Sequence, residues 1–132
     1  MDASLKSIVV PHLRELGFSG SFPHFRRIKE NGIDLISFQF DKYGGGFVIE
    51  VSHCPPGGIT TSWGKEIPPD KVQAWDMPFN LRLRIQPGTG HGPGSWFRYD
   101  TLSLVANTYD RLSRKVIELL KEKATPFWYQ HR

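Results

Sequence analysis

Residues 33–54 read Ile-Asp-Leu-Ile-Ser-Phe-Gln-Phe-Asp, then Lys-Tyr-Gly-Gly-Gly, then Phe-Val-Ile-Glu-Val-Ser-His-Cys. Two runs rich in β-branched and aromatic residues flank a glycine turn, a pattern typical of a β-hairpin. Apolar side chains alternate with polar ones in both runs, and the apolar set is Ile36, Phe38, Phe40, Phe47, Ile49 and Val51. Because alternate residues of a strand point to opposite faces, this pattern predicts an antiparallel sheet with one dry face and one polar face.

Three further segments predict strands around this hairpin. Phe22 to Lys29 precedes it, and Pro23 favours an edge position for that strand because proline cannot donate to a neighbour. Phe79 to Ile85 alternates apolar and polar residues, and Ser95 to Tyr99 is a candidate for a short last strand. The sequence therefore predicts four to five strands.

Helices are predicted at both ends of the chain. Apolar residues recur at helical spacing from Asp2 to Leu16, where Pro11 predicts a kink or a helix in two pieces. A long helix should start at Asp100 or Thr101 and end before Pro126, followed by an aromatic tail that packs on the body. Two helices are sufficient to cover one face of the sheet, so the predicted fold class is α+β with both helices on that face.

Composition limits the domain organisation. At 132 residues with 39% hydrophobic residues, the chain is expected to form a single domain over residues 1–132, with long loops at 55–78 and 86–95. Cys54 is the only cysteine, which excludes an internal disulfide framework and fits a cytoplasmic location. No apolar run reaches the length of a membrane span, so we expect no membrane association.

No motif in the sequence fixes a chemistry. Ser52, His53 and Cys54 are consecutive in a predicted strand, so His53 points away from both neighbours and cannot activate them. The five histidines lack metal-ligand spacing, and the glycine-rich segment Gly88 to Gly94 lacks the Lys-Ser/Thr ending of a phosphate loop. We expect no catalytic residue, metal site or cofactor, and the sequence favours a binding role while leaving enzymatic activity open.

One group of polar residues is more informative. Strand parity places Gln39, Glu50, Arg82 and Arg84, here called the polar strand face, opposite the apolar residues, where we expect them to be exposed. Further candidates for the same surface are Arg26, Arg98 and the loop residue His91. Arginines beside a carboxylate predict recognition of an anionic or planar ligand. The alternative is ordinary cross-strand salt bridging.

Short motifs along the chain carry a resemblance to a known family. They are Leu13, Leu16, Gly17 and Phe18; Phe25 and Arg26; Phe38 and Gln39; Phe47 to Val51; Trp96; and Pro126 to Trp128. In this layout the chain resembles a small bacterial family catalogued as a domain of unknown function. The resemblance spans nearly the whole chain, implies an α-β-β-β-β-α order and supplies no activity.

Three classes of function stay open. The first is a non-catalytic binding or protein-interaction module that uses the polar strand face and its flanking loops, with a toxin-immunity protein as a special case. The second is an enzyme with a pocket between sheet and loops that contains a group such as His53 or Glu50. The third is nucleic-acid binding, which the net charge of +4 permits but which is disfavoured because Arg82 and Arg84 lack interleaved exposed aromatics. The expected partner is a protein or an anionic small ligand, and the oligomeric state is left open.

Overall fold

The computed structural model describes residues 1–90, 92–100 and 108–131. Its strands are β1 (Ser19–Ser21), β2 (His24–Lys29), β3 (Gly32–Phe40), β4 (Gly46–Cys54), β5 (Ile59–Thr60), β6 (Glu66–Ile67), β7 (Arg82–Ile85) and β8 (Phe97–Arg98). A six-stranded antiparallel sheet has the order β1-β2-β3-β4-β7, with β8 also pairing with β4, while β5 and β6 form a separate hairpin. The α+β class is confirmed, with short strands added to those expected.

Each helix is a composite of three segments. Helix α1 comprises Asp2–Ser4, Leu5–Val9 and Val10–Glu15, and helix α2 comprises Thr108–Leu119, Leu120–Ala124 and Thr125–Gln130. The middle segment of each is a π-helical turn that ends two residues before a proline, Pro11 in α1 and Pro126 in α2. A proline ring crowds the preceding turn and has no amide hydrogen, so a wider turn lets the helix continue past it. No helix in the described ranges is both long and apolar enough to cross a bilayer.

The prediction that the second helix ends before Pro126 is wrong. Helix α2 continues to Gln130, and the expected aromatic tail is its last segment. Trp128 in that segment is buried and donates from Nε1 to the carbonyl oxygen of Ser52 at 3.1 Å, so the tail does pack on the body. The start was predicted at Asp100 or Thr101. Asp100 is not in a helix, and Thr101 is one of residues 101–107, which lie outside the described residues.

The central hairpin pairs in the register that the alternation predicts. Ile36 lies opposite Val51, and Phe38 lies opposite Ile49. These side chains meet the buried residues of both helices, which are Leu5, Val9, Leu13, Val116, Leu119, Leu120, Ala124 and Trp128. The main hydrophobic core therefore lies between the sheet and the two helices.

Two strand predictions need correction. Strand β2 is internal rather than at the edge, because β1 pairs outside it and Pro23 lies in the turn between them. In the segment predicted as a strand from Phe79, only Arg82–Ile85 is extended, and Phe79 itself is 85% exposed in a 3₁₀ turn. The Leu81 amide donates to the Pro78 carbonyl at 2.9 Å within that turn, so the chain is turned there rather than extended.

The other face of the sheet carries a second hydrophobic cluster. Residues 55–81 contain the β5–β6 hairpin and two 3₁₀ turns, Ala74–Asp76 and Phe79–Leu81. The buried members of the cluster are Ile33, Leu35, Cys54, Val72, Ala74 and Met77. The segment expected as an irregular loop thus packs over one end of the face that was expected to be polar and open.

Candidate functional site

The structure places the polar strand face on one side of the sheet, as strand parity predicts. Glu50 of β4 lies opposite Arg84 of β7. Arg82 lies on the same face two residues along β7, opposite Ser52. Nε and Nη2 of Arg84 both lie 3.0 Å from Oε1 of Glu50. The Glu50 side chain is only 8% exposed, so the expectation of an open face is wrong at its centre. The contact formed is a cross-strand ion pair, and the binding role of these residues stays a prediction.

Two arginines of this surface hold the segment of residues 55–81 in place. Nη2 of Arg26 donates to the carbonyl oxygen of Val72 at 3.0 Å. Nη1 of Arg82 donates to the carbonyl oxygen of Trp75 at 3.4 Å, and its guanidinium lies 4.1 Å from the Phe79 ring centroid. Both therefore have structural contacts within the chain.

Arg98 lies at the other end of strand β4, opposite Gly46, where it has carboxylate partners of its own. Arg98 contacts Asp41 at 3.3 Å and Asp100 at 2.5 Å beside the glycine turn of the central hairpin. The hydrogen bond from Arg98 lowers the pKa of the Asp100 carboxyl. His91 lies outside the described residues.

A cleft of about 810 Å³ lies between the β5–β6 hairpin and residues 75–81. We call it the tryptophan cleft, and its apolar walls are formed by Pro55, Pro56, Ile59, Trp63, Trp75, Met77, Pro78 and Leu81. Polar groups reach it from Asn31, His53, Thr60, Thr61, Ser62, Asp76 and His131. Among the described residues the lining contains neither lysine nor arginine, so it does not present a strong positive charge.

Trp63 forms one wall from the turn of the β5–β6 hairpin. The turn is closed by a hydrogen bond from the Gly64 amide to the Thr61 carbonyl at 2.9 Å and by one from the Lys65 amide to the Thr61 hydroxyl at 3.0 Å. The Trp63 side chain remains 77% exposed. A large aromatic surface held by an ordered turn and left open to solvent is available to a ligand.

Trp75 also lines the cleft and is held by more contacts. It lies in the 3₁₀ turn Ala74–Asp76. The backbone amide of Gln73, the residue before this turn, donates to the Asp76 carboxylate at 2.7 Å. Its Nε1 donates to Oε1 of Gln73 at 3.0 Å, and its ring meets His24 edge-to-face with centroids 4.6 Å apart. These contacts fix the indole, so this wall is formed without a ligand.

His53 contributes a polar group to the cleft from strand β4. Its Nδ1 lies 2.8 Å from Oδ1 of Asp34, which is fully buried and accepts Nε and Nη2 of Arg27 at 2.9 Å on its other oxygen. A carboxylate paired with arginine can only accept, so Nδ1 of His53 donates the hydrogen of this contact. Nε2 of the same ring is buried and has no hydrogen-bond partner among the described residues.

Packing around this cluster ties it to both helices. The Arg27 guanidinium lies 4.6 Å from the Phe18 ring centroid and 5.4 Å from that of Trp128, and Nη1 donates to the carbonyl of Leu16 at 3.0 Å. Across the His53 ring, a Cβ on Gly32 would collide with Nε2. The His53 ring therefore fills the space that a side chain at this position would need, and only glycine allows the ring to pack there.

The Arg27, Asp34 and His53 cluster was not predicted from the sequence. The available signal was parity, because each of the three shares a strand face with core residues, where an isolated charge is costly. Recognising it required the register that sets all three side by side. Cys54, by contrast, is buried, which raises the pKa of its thiol to about 11 and makes it a poor nucleophile.

The described residues contain no group of three or more His, Cys, Asp or Glu side chains placed to hold a metal ion. In comparisons with known proteins, the profile of a family described as "Domain of unknown function (DUF4304)" matches residues 9–130. Neither the curated proteins nor the solved structures give a match. The comparisons thus supply a family and no activity.

Proposed function

The chain belongs to the DUF4304 family, and we propose that it is a non-catalytic binding module that takes a small, planar, apolar molecule in the tryptophan cleft. The observation that carries this proposal is a concave, mostly apolar site of about 810 Å³ whose lining includes both Trp63 and Trp75. Small-molecule sites are typically concave, mostly apolar and about 300–1,000 Å³ in volume. A planar ligand would contact both indoles and shield the exposed surface of Trp63.

The lining argues for a neutral ligand rather than the anionic one expected from the sequence. The described lining residues carry no lysine or arginine, and Asp76 adds a carboxylate. Of the arginines that suggested an anion, Arg84 already binds Glu50 and Arg82 donates to the Trp75 carbonyl. An anion in the cleft would have few partners to replace its lost hydration.

The shape of the site argues for a small molecule rather than a protein chain. The cleft lies between a narrow hairpin and a short loop segment, so the available surface is a recess and not a broad flat patch. Stable protein–protein interfaces usually bury about 800 Å² on each partner. A compact ring system fits the described recess better than such an interface.

A fluorescence titration with N-phenyl-1-naphthylamine, a neutral aromatic probe, tests the proposal. Trp63→Ala and Trp75→Ala should each weaken binding about tenfold or more, because buried tryptophans dominate the binding energy of apolar sites. Tyr43→Ala is the matched control, since Tyr43 is 86% exposed and lies outside the cleft. Absence of saturable binding, or equal weakening by the Tyr43 variant, would reject this function.

A second candidate, an enzyme, is favoured by one observation. His53 is oriented by the buried Asp34 carboxylate and lines the cleft, as a general base in a pocket would. Ser52 is not a nucleophile for it, because Ser52 points to the opposite face and donates to the Ala74 carbonyl. Hydrolysis of 4-nitrophenyl acetate above background that is lost in His53→Gln would favour this candidate over simple binding.

A further inference from the structure

Resting on the proposed function, we infer that the β5–β6 hairpin is a hinged lid, which closes on the tryptophan cleft and brings Trp63 onto the ligand. The lid comprises residues 59–67. Binding then includes a closing step, in which the side of the cleft that carries Trp75 stays fixed and the side that carries Trp63 moves.

The lid lies between two anchored points of the chain. Cys54, at the end of β4, and Val72 are both fully buried, and the carbonyl oxygen of Val72 accepts Nη2 of Arg26 at 3.0 Å. Between these anchors, no residue from Pro55 to Lys71 is buried. Segments with few buried contacts open at low free energy, so this one can move while both anchors stay in place.

The hairpin is ordered within itself and joined to the body by apolar contacts. In the part of the chain that the structure describes, residues 59–67 form their hydrogen bonds with one another, including one from the Thr61 amide to the Lys65 carbonyl at 2.8 Å. Ile59 and Ile67, both half-buried, pack against the second hydrophobic cluster. Apolar contacts have no preferred direction, so the hairpin can shift as one unit without breaking any of these hydrogen bonds.

The chain also provides a hinge and space for the motion. Gly57 precedes the hairpin, is exposed, and would place a Cβ within 4 Å of no other atom, so its backbone can rotate without a collision. Strand β5 and the hairpin turn line the tryptophan cleft, and strand β6 lines a second recess of about 500 Å³. The hairpin therefore borders open space along both of its strands.

The direction of the motion follows from the two tryptophans. Trp63 is 77% exposed although it lines the cleft, whereas Trp75 is fixed by Gln73 and by the His24 ring. A compact ring system lying against Trp75 would leave part of the cleft of about 810 Å³ empty, and apolar surface without a neighbour forfeits dispersion contacts. Moving Trp63 onto the other side of the ligand restores those contacts and removes indole surface from water, so the ligand favours the closed arrangement.

Paramagnetic relaxation enhancement measures this closure. The nitroxide is attached at Asn80→Cys, because Asn80 is exposed in the turn Phe79–Leu81 and does not line the cleft, while the native Cys54 is buried. Saturating N-phenyl-1-naphthylamine should raise the enhancement at the Trp63 amide about twofold or more, because the effect rises steeply as the distance falls and hinged lids move by several ångströms. The Val72 amide, in the anchored part of the chain, is the matched control and should change little.

The outcomes separate the lid from the binding function on which it rests. If the probe saturates the fluorescence titration of the reduced, diamagnetic labelled protein but the enhancement at Trp63 stays at its ligand-free value, the lid is overturned and the binding function stands. Equal rises at Trp63 and Val72 would also overturn it, since they would report a movement of the label. Absence of saturable binding to the wild-type protein would reject both. If the label at Asn80 itself prevents binding, Phe79→Cys decides the matter, because Phe79 is 85% exposed and also outside the lining.

Discussion

Asp34 is the residue on which the buried polar cluster depends. Its fully buried carboxylate holds Arg27 on one oxygen and His53 on the other. Without Asp34, the largely buried Arg27 guanidinium would lose its counter-ion and His53 would lose its hydrogen-bond partner. A buried ion without a counter-ion keeps its desolvation penalty, so the folded state would be destabilised.

Replacing this carboxylate should be strongly destabilising. Asp34→Asn should lower the free energy of unfolding by about 3–5 kcal/mol, the range for breaking a buried ion pair by removing one partner. Denaturant unfolding followed by circular dichroism measures the change. Glu118→Gln is the matched control, because its pair with Lys115 is exposed and should contribute little. A small effect of Asp34→Asn, similar to that of the control, would contradict the structural role assigned to the cluster.

Strand parity allowed part of the candidate site to be predicted from the sequence. It placed Glu50 and Arg84 on one face correctly, because parity depends only on alternation within each strand. It could not show that Glu50 is buried, since that depends on the Arg84 side chain and the segments that cover the face. The pairing of strands β2, β3 and β4 brings Arg27, Asp34 and His53 together. Strand pairing cannot be read from neighbouring residues, so the cluster was not predicted.

Helix α2 was predicted from the sequence, but its C-terminal end was placed too early. Pro126 predicted a helix end by the usual rule, yet a π-helical turn over Leu120–Ala124 carries helix α2 past it. Pro11 has the same arrangement in helix α1. Trp128, buried beyond Pro126, gives a reason for the continuation, because packing energy outweighs the local cost of the proline.

The register of strand β3 leads to a paired prediction. Phe38→Ala should lower the free energy of unfolding by about 3–5 kcal/mol, since Phe38 is 1% exposed in the main core. Gln39→Ala, one residue along, should change it little, because that side chain is half-buried outside the main core. Chemical denaturation of both variants measures the difference. Equal losses would mean that the strand is shifted by one residue.

The β5–β6 hairpin gives a test of how the cleft wall is built. Gly58 has φ +86° at the base of the hairpin, and a Cβ there would collide with the carbonyl oxygen of Ile67. Gly58→Ala should therefore displace the hairpin with Trp63 and weaken binding of N-phenyl-1-naphthylamine in the fluorescence titration. Gly57→Ala is the neighbouring control, since a Cβ at Gly57 meets nothing within 4 Å. Unchanged binding by the Gly58 variant would show that the hairpin does not form the wall.

In the described molecule as a whole, one sheet separates two hydrophobic clusters of different origin. The helices cover one face, and residues 55–81 cover one end of the other. The face covered by the helices was predictable, because the alternation of its strands and the helical spacing of its helices are patterns between neighbouring residues. The covering of the other face was not, because the proline- and glycine-rich segment has no periodicity and its path is set by contacts such as that of Arg26 with the Val72 carbonyl. The tryptophan cleft exists only because of that path.

Intermolecular nuclear Overhauser effects would show whether a planar molecule binds in the tryptophan cleft. With N-phenyl-1-naphthylamine, we predict contacts from its ring protons to the indole protons of Trp63 and Trp75. Contacts confined to the polar strand face, for example to Arg84, would contradict the account. Contacts to Tyr43 alone, or no contacts at a concentration that saturates the fluorescence titration, would contradict it equally.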